Sequence, residues 1–309
     1  MLYNLLISTS SFNIDRNEKL LKDLKNKNFD ISFNESGEKL SEDKLIDIIS
    51  KYDAIIAGTE NYTEKVLNSA NKLKIISRLG VGLDNIDLKI AEKKNIKIMK
   101  TKTSPGLAVA ELCLCLTLDI LRKVTLHNND LKQSIWSKNM GNLLSGKTLG
   151  IVGLGVIGKM LIKLLSGFNL DILAHDLNVD SEFAKENNIR YVSLKKLFSS
   201  SDIISVHLNL TENTYQIINK FYLDLMKKHS IIINASRGGI IDEEALYQKL
   251  KEGSILGAGL DVFEAEPYDG KLKNLPNVIL TPHIGSYAQE IRDKMEEESI
   301  SNLINMFPF

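Results

Sequence analysis

The sequence has no excess of charge of either sign. Lysine and arginine together number 39, as do aspartate and glutamate, so the formal net charge at pH 7 is zero. A protein that binds a nucleic acid backbone usually carries a basic excess, so the balanced charge predicts no nucleic acid partner. Hydrophobic residues make up 43% of the 309 residues and charged residues 25%, a globular composition that excludes a disordered chain.

Cysteine is scarce. The two cysteines, Cys113 and Cys115, are two positions apart in an apolar segment with helical periodicity, where their side chains point in different directions. They can neither form a disulfide with each other nor chelate a metal. We therefore predict two buried thiols in a reducing compartment, and no metal site.

Long apolar runs are absent as well. No stretch approaches the ~20 residues that span a bilayer, and the apolar run at residues 1–8 has no basic lead. The sequence thus predicts a cytoplasmic protein with no signal peptide and no membrane partner. Its length corresponds to about two domains.

Short apolar segments alternate with segments of helical periodicity. Apolar strands separated by helices are typical of an α/β fold with doubly wound parallel sheets. The predicted strands are residues 3–7, 53–58, 74–77, 96–99, 148–153, 171–174, 190–192, 203–207, 230–234, 255–259 and 277–280. The main predicted helices are residues 18–25, 42–50, 63–70 and 111–123. We interpret the two series of strands as two domains with a hinge near residue 100 and a cleft between them.

A glycine-rich turn opens the second series of strands. Gly153, Gly155 and Gly158 have the G-x-G-x-x-G spacing between a predicted strand and a helical segment. The glycines allow a tight turn, a close backbone approach to a pyrophosphate, and close packing of the helix on the strand. Asp176, at the end of the next strand, suits the adenosine ribose and would repel a 2′-phosphate. The sequence therefore predicts NAD rather than NADP as the cofactor.

Three polar side chains follow later strands of this series: Arg237, Glu266 and His283. Alone, each has an ordinary interpretation as a surface charge, a turn residue or a packed loop histidine. Ligands bind at the carboxyl ends of strands in open parallel sheets, so we expect the three to meet beside the cofactor.

The chemistry of these three residues fits hydride transfer from a hydroxyl-bearing carbon. Histidine can take the hydroxyl proton and return it, and a carboxylate on its other nitrogen fixes the tautomer and stabilises the imidazolium. Arginine can bind a substrate carboxylate with two parallel hydrogen bonds. These residues predict an NAD-dependent oxidoreductase acting on a 2-hydroxy acid.

Longer motifs carry a family resemblance. The chain resembles the D-isomer-specific 2-hydroxyacid dehydrogenases over essentially its whole length. The matching segments are residues 77–87, 108–111, Trp136, and residues 146–153, 205–211, 234–239, 259–267 and 281–285.

The resemblance implies a fold and a set of roles. It implies a Rossmann-type NAD-binding domain, residues 100–286, inserted in a flavodoxin-like substrate-binding domain made of residues 1–99 and 287–309. Arg237 would bind and orient the substrate, Glu266 would hold the histidine, and His283 would be the acid/base. The implied cofactor contacts are Gly153, Gly155, Val156, Ile157, Gly158, Asp176, His207, Thr211, Ala235, Ser236, Asp261, Gly285 and Ser286. The implied substrate contacts are Arg78 and the backbone of Gly80, Val81 and Gly82. A homodimer formed through the helix at residues 111–123 and the arm at residues 128–144 is also implied.

Within the family, residues 53–59, 61–65 and 78–87 look most like short phosphoglycerate dehydrogenases. This resemblance implies oxidation of 3-phosphoglycerate to 3-phosphohydroxypyruvate, a step of serine biosynthesis. Three features depart from it: a shortened loop at residues 104–108, Asn209 in place of a usual proline, and Glu60 where some relatives have a phosphate-binding base.

Other functions remain open. One alternative is a dehydrogenase or reductase for another 2-hydroxy acid, of the glyoxylate, hydroxypyruvate or lactate type. A second is a non-catalytic NAD-sensing binding protein, and a third is oxidation of formate or phosphite on the same scaffold.

Overall fold

The structure, a computed structural model, describes residues 2–307 and divides into two compact units. Unit 1 comprises Met1–Pro105 and Tyr287–Phe309, and unit 2 comprises Gly106–Ser286. The chain leaves unit 1 after Pro105, a few residues beyond the predicted boundary at residue 100. The predicted domain ends at residues 1 and 309 lie outside the described residues.

Unit 1 is built on a five-stranded parallel sheet of order β2-β1-β3-β4-β5. Its central strands are apolar on both faces because helices cover both sides of the sheet. The strands are β1 (Tyr3–Ile7), β2 (Phe29–Phe33), β3 (Ala54–Ala57), β4 (Ile75–Arg78) and β5 (Lys97–Lys100). The helices are α1 (Glu18–Asn26), α2 (Glu42–Ile49), α3 (Glu64–Ser69), α4 (Leu88–Lys93) and the last helix, α12 (Gln289–Met306).

Strand β2 was not predicted from the sequence. It pairs with β1 alone, at the edge of the sheet, and only Phe29 at its start is buried. Asp30 and Ser32 interrupt its apolar residues, so it lacks the continuous apolar run by which the central strands are recognised.

Unit 2 is built on a seven-stranded parallel sheet of order β12-β11-β10-β9-β6-β7-β8. The strands are β6 (Thr148–Val152), β7 (Asp171–His175), β8 (Ile189–Tyr191), β9 (Ile203–Val206), β10 (Ile231–Asn234), β11 (Gly257–Leu260) and β12 (Val278–Leu280). The helices are α5 (Gly106–Arg122), α6 (Val124–Lys132), α7 (Val156–Leu164), α8 (Ser181–Glu186), α9 (Leu194–Ser200), α10 (Lys220–Asp224) and α11 (Glu243–Lys251). Short 3₁₀ helices lie at Ser166–Phe168 and Lys271–Asn274. The predicted α/β class with two doubly wound parallel sheets is confirmed.

Helix α5 corrects the prediction of two buried thiols. Cys113 is buried in the core of unit 2, but Cys115 is exposed. Two residues along a helix correspond to a rotation of about 200°, which places the two side chains on opposite faces. In the described part of the chain, no helix is long and apolar enough to cross a membrane.

Candidate active site

The glycine turn joins β6 to α7. Gly153 has a φ of +92°, and a Cβ added to it would lie 2.7 Å from the carbonyl oxygen of His207. A Cβ on Gly158 would lie 2.8 Å from the carbonyl oxygen of Gly153, so neither position accommodates a side chain. Gly155 caps α7 without a side-chain hydrogen bond, and the space around it is open. The backbone N–H groups of the first turn of α7 are therefore suited to bind an anion such as a pyrophosphate.

A cavity of about 530 Å³ lies beside this turn. Asp176 borders it, and its carboxylate accepts hydrogen bonds from the N–H groups of Leu154 (2.7 Å) and Asn178 (2.8 Å). Lys159 and Asp180 form an ion pair on the same lining. Because the lining carries three acidic side chains (Asp176, Asp180 and Glu182) against one lysine, it disfavours a 2′-phosphate. The residues present thus fit an NAD adenosine. The complete lining is Leu154, Gly155, Lys159, Asp176 and residues 178–182.

Sequence reasoning missed Lys159 and Asp180. Lys159 directly follows the third glycine of the turn, and Asp180 caps α8 by accepting a hydrogen bond from the N–H of Phe183. The sequence position of Lys159 next to the glycine turn and of Asp180 at the start of α8 could have indicated both residues.

His207 lies just after β9, next to the glycine turn. Its Nε2 is 2.9 Å from Ser205 Oγ, and its buried Nδ1 has no hydrogen-bond partner within residues 2–307. Burial lowers the pKa of His207 to about 4, so its imidazole is neutral at physiological pH. The thiol of Cys113 hydrogen-bonds to Ser205, and burial raises the pKa of this thiol to about 12. The imidazole therefore belongs to a neutral buried network.

Arg237 follows β10. The side-chain amide of Asn234 donates to the Arg237 carbonyl (3.0 Å), and Asn234 Oδ1 accepts from the N–H (3.1 Å) and hydroxyl (2.7 Å) of Ser236. A Cβ on the next residue, Gly238, would lie only 1.9 Å from the carbonyl oxygen of Phe263. The segment that carries Arg237 therefore packs backbone against backbone on the turn that follows β11.

The turn after β11 and the loop after β12 bring Glu266 and His283 together. His283 Nδ1 lies 3.0 Å and 3.2 Å from the two carboxylate oxygens of Glu266. Glu266 Oε1 also accepts a hydrogen bond from the N–H of Phe263 (3.1 Å), which fixes the carboxylate in its own turn. Since Glu266 engages Nδ1, Nε2 is the ring nitrogen available for proton transfer.

Asp261 holds the loop that carries His283. Its fully buried carboxylate accepts hydrogen bonds from the hydroxyl of Thr281 (2.6 Å) and the N–H groups of Ile284 (2.7 Å) and Gly285 (2.8 Å). Burial raises the pKa of Asp261 against the effect of these hydrogen bonds. His283 has a φ of +55°, a strained value of the kind found at functional sites. Both oxygens of Asp261 therefore hold this loop; its implied contact with the cofactor stays a prediction.

Sequence reasoning also missed Glu243, in the first turn of α11. Its Oε1 accepts a hydrogen bond from the N–H of Glu264 (2.6 Å) and so braces the turn that carries Glu266. Burial raises the pKa of Glu243, and the nearby carboxylates of Glu264 and Glu266 raise it further.

The other predicted cofactor residues also follow strands of unit 2, as does Arg237, whereas the other predicted substrate contacts lie in unit 1. The N–H of Gly80 donates to the carbonyl of Arg78 (2.9 Å) and is thus engaged within its own loop. Val156 and Ile157 lie in the first turn of α7; Thr211, Ala235, Ser236, Gly285 and Ser286 lie beyond β9, β10 and β12. Arg78, Gly80, Val81 and Gly82 lie at the end of β4 and in the loop after it. The roles of all these residues remain predictions.

One family model matches the chain. Its description is D-isomer specific 2-hydroxyacid dehydrogenase, NAD binding domain, and the match covers residues 114–285, more than half of the sequence.

Named relatives match over most of this chain. A hydroxypyruvate reductase from Thermotoga maritima is 38% identical over 275 residues, covering 87% of this chain and 89% of the relative. A glyoxylate reductase from Thermococcus litoralis is 40% identical over 274 residues, covering 84% and 82%. A D-3-phosphoglycerate dehydrogenase from Methanocaldococcus jannaschii is 38% identical over 285 residues, covering 86% of this chain but 54% of that longer protein.

Solved structures show the same fold. A phosphoglycerate oxidoreductase from Vibrio cholerae superposes with a TM-score of 0.87 at 27% identity, covering 99% of this chain and 98% of its own. A D-lactate dehydrogenase from Aquifex aeolicus, solved with NAD and lactic acid, superposes with a TM-score of 0.81 at 29% identity, covering 97% and 94%.

Proposed function

Because the chain belongs to the D-isomer-specific 2-hydroxyacid dehydrogenase family and has its NAD-binding domain, we propose that it interconverts a D-2-hydroxy acid and the corresponding 2-oxo acid. The observation that carries this proposal is the pairing of His283 Nδ1 with both carboxylate oxygens of Glu266, at 3.0 Å and 3.2 Å. The pair lies beyond β11 and β12, in the sheet that also presents the glycine turn.

The side chains have distinct tasks in this reaction. His283 Nε2 accepts the hydroxyl proton during oxidation and returns a proton to the carbonyl oxygen during reduction. Glu266 fixes the tautomer of the imidazole and stabilises its protonated form. Arg237 binds the substrate carboxylate with a planar pair of donors. NAD, when bound at the glycine turn and the cavity beside Asp176, supplies the hydride acceptor.

The substrate class is a further part of the proposal. The sequence favours 3-phosphoglycerate, and the Methanocaldococcus relative supports it as a second candidate. Two observations favour a smaller, unphosphorylated 2-oxo acid of the glyoxylate or hydroxypyruvate type. The Thermotoga and Thermococcus relatives, which this chain covers more fully, are hydroxypyruvate and glyoxylate reductases. The carboxyl group of Glu60 is also buried just beyond β3 of unit 1, where it disfavours a phosphate.

We also propose unit 1 as the substrate-binding domain, unit 2 as the NAD-binding domain, and a cytoplasmic homodimer as the assembly. Exposed apolar side chains on α6 and the following arm support the dimer, among them Trp136 (80% exposed) and Met140 (89%). The exposed thiol of Cys115 suits a reducing compartment.

A substrate panel tests the proposed activity. The purified protein is mixed with NADH and glyoxylate, hydroxypyruvate, pyruvate or 3-phosphohydroxypyruvate, and NADH absorbance is followed. We expect NADH oxidation with at least one of these acids, and Arg237→Lys should lower kcat/KM about 100-fold because lysine lacks the planar fork. Binding of NADH without turnover of any acid would instead favour an NAD-sensing protein.

A further inference from the structure

Unit 1 has its own point of reversal in strand order. In the order β2-β1-β3-β4-β5, the connections change direction between β1 and β3. Ligands of such sheets bind outside the carboxyl ends of the strands at this switch point. The residues that follow β1 and β3 there are Ser8 and Thr9 on one strand and Gly58 and Glu60 on the other.

Glu60 is built into this edge of the sheet. Glu60 is only 2% exposed, and its Oε2 accepts hydrogen bonds from the Gly58 N–H (2.7 Å) and the Ser8 hydroxyl (3.3 Å). Ser8 Oγ also lies 2.8 Å from the hydroxyl of the fully buried Tyr62. The side-chain amide of Asn85 donates to the carbonyl oxygen of Glu60 (2.6 Å) and ties this loop to the loop after β4. The carboxyl group is thus held directly by Gly58 and Ser8, while Tyr62 engages the Ser8 hydroxyl and Asn85 holds the backbone of Glu60.

Arg78, the basic residue at the end of β4, is engaged beneath its own loop. It is 8% exposed, and its Nη1 donates to the carbonyl oxygen of Leu79. Gly80, at φ +155°, lies so close that an added Cβ would be 2.6 Å from the same nitrogen. Burial raises the pKa of Glu60, and the positive charge of Arg78 counteracts part of that rise. The guanidinium therefore offsets a buried acid instead of standing free for a second anion.

The other cation that reaches this edge is Arg292 of α12, which donates to the carbonyl oxygen (3.1 Å) and the hydroxyl (3.0 Å) of Ser11 and pairs with Glu296 (3.0 Å). Residues 8–13, 58–62 and 79–85, which follow β1, β3 and β4, contain no lysine or arginine, and they include the acids Glu60 and Asp84. A phosphate dianion is bound by charge-assisted donors, and a like charge beside it costs affinity.

We propose that Glu60 is a specificity-determining residue that excludes phosphorylated substrates and selects 2-oxo acids with a small uncharged side chain, a hydrogen or a hydroxymethyl group. This inference rests on the proposed function, in which unit 1 binds the substrate.

The test compares kcat/KM for hydroxypyruvate and for 3-phosphohydroxypyruvate, which differ only in the phosphate, with NADH as reductant. We expect the wild-type protein to prefer hydroxypyruvate about 100-fold, and Glu60→Gln, which removes the charge but keeps the shape, to reduce that preference about tenfold. Asp53→Asn is the matched control. Asp53 is also an acid of unit 1, half-buried and hydrogen-bonded to the N–H of Asn4 (2.9 Å), but it precedes β3, at the opposite end of the sheet, and should leave the preference unchanged.

The outcomes separate the two proposals. A wild-type preference for the phosphorylated acid, or a folded Glu60→Gln protein with the wild-type preference, overturns the role of Glu60 while leaving the dehydrogenase activity in place. If Glu60→Gln does not fold, inhibition of the wild-type protein decides: glycolate should bind at least about tenfold more tightly than phosphoglycolate, and the reverse order overturns the proposal. Absence of turnover with every acid, with NADH still bound, contradicts the proposed function itself.

Discussion

At the residue scale, His207 shows how burial fixes the charge of one side chain. Its Nδ1 is buried, its Nε2 contacts Ser205, and its pKa falls from the usual 6.5 to about 4. In the unfolded chain the imidazole titrates near its usual pKa. Between pH 6.5 and pH 4 the unfolded chain therefore binds a proton that the folded protein does not bind. The stabilisation from a neutral His207 is therefore complete above pH 6.5 and is lost as the pH falls through 4.

We expect the free energy of unfolding of the wild-type protein to fall by about 3 kcal/mol more than that of His207→Gln between pH 7 and pH 4. Urea denaturation at a series of pH values measures this difference. Parallel pH profiles for the two proteins would show that His207 titrates normally in the folded state.

Single residues also show which parts of the candidate site could be predicted from the sequence. The proximity of Glu266 and His283 could be predicted because each follows an apolar strand, and the structure pairs them, while the role of Arg237 stays a prediction. Glu243 could not be predicted, because helix periodicity does not distinguish a carboxylate that braces a turn from a solvated one. Cys115 was assigned to the core because its neighbours are apolar, although its face of α5 is exposed.

At the element scale, each strand of the described residues except β2 could be predicted, including the edge strands β5, β8 and β12. Strands β6, β9 and β10 have continuous apolar sequences because both faces are covered, whereas Asp30 and Ser32 interrupt the apolar residues of β2. Helix α5 begins at Gly106, earlier than the predicted residue 111, because the glycine and small residues at its start resemble a loop in sequence. The departures thus fall where polar residues interrupt a strand or where a helix begins with small residues.

The packing of two site-bearing turns yields a prediction about Gly238. A Cβ at this position would lie 1.9 Å from the Phe263 carbonyl oxygen, and backbone cannot move aside as a flexible side chain can. We expect Gly238→Ala to destabilise the protein by about 3 kcal/mol and to lower kcat, since the segments bearing Arg237 and Glu266 must separate.

Gly167→Ala is the control for this variant, because nothing lies within 4 Å of an added Cβ there. Its effect on the free energy of unfolding should stay within about 0.5 kcal/mol. Thermal unfolding and steady-state kinetics measure both variants, and a Gly238→Ala protein indistinguishable from wild type would refute the tight packing of the two turns.

At the scale of the whole molecule, each unit has a parallel sheet whose strand order reverses once, and each reversal has polar residues beyond it. The two-domain organisation could be predicted from the two series of strands and the single glycine turn. The assembly depends on surfaces that periodicity does not reveal. Helix α6 buries none of its residues, and Val124, Leu131, Trp136, Met140 and Leu143 on this helix and its following arm are exposed.

This surface predicts a dimer in solution. We expect sedimentation equilibrium to give twice the monomer mass for the wild-type protein, and the double substitution Trp136→Asp with Met140→Asp to give monomers, because charge in an apolar interface opposes association. Phe221→Asp, at another exposed aromatic residue of unit 2, should remain dimeric. A monomeric wild-type protein at micromolar concentration would contradict the proposed assembly.

The proton-transfer role of His283 is the claim on which the account of this enzyme depends. Its direct measurement is single-turnover reduction of the preferred 2-oxo acid by NADH, together with NADH titration, for wild type, His283→Ala and the control His229→Ala at an exposed histidine. We expect His283→Ala to slow the reduction about 1,000-fold with NADH affinity retained, and His229→Ala to behave as wild type. Reduction by His283→Ala at a rate close to that of the wild-type protein would contradict the account.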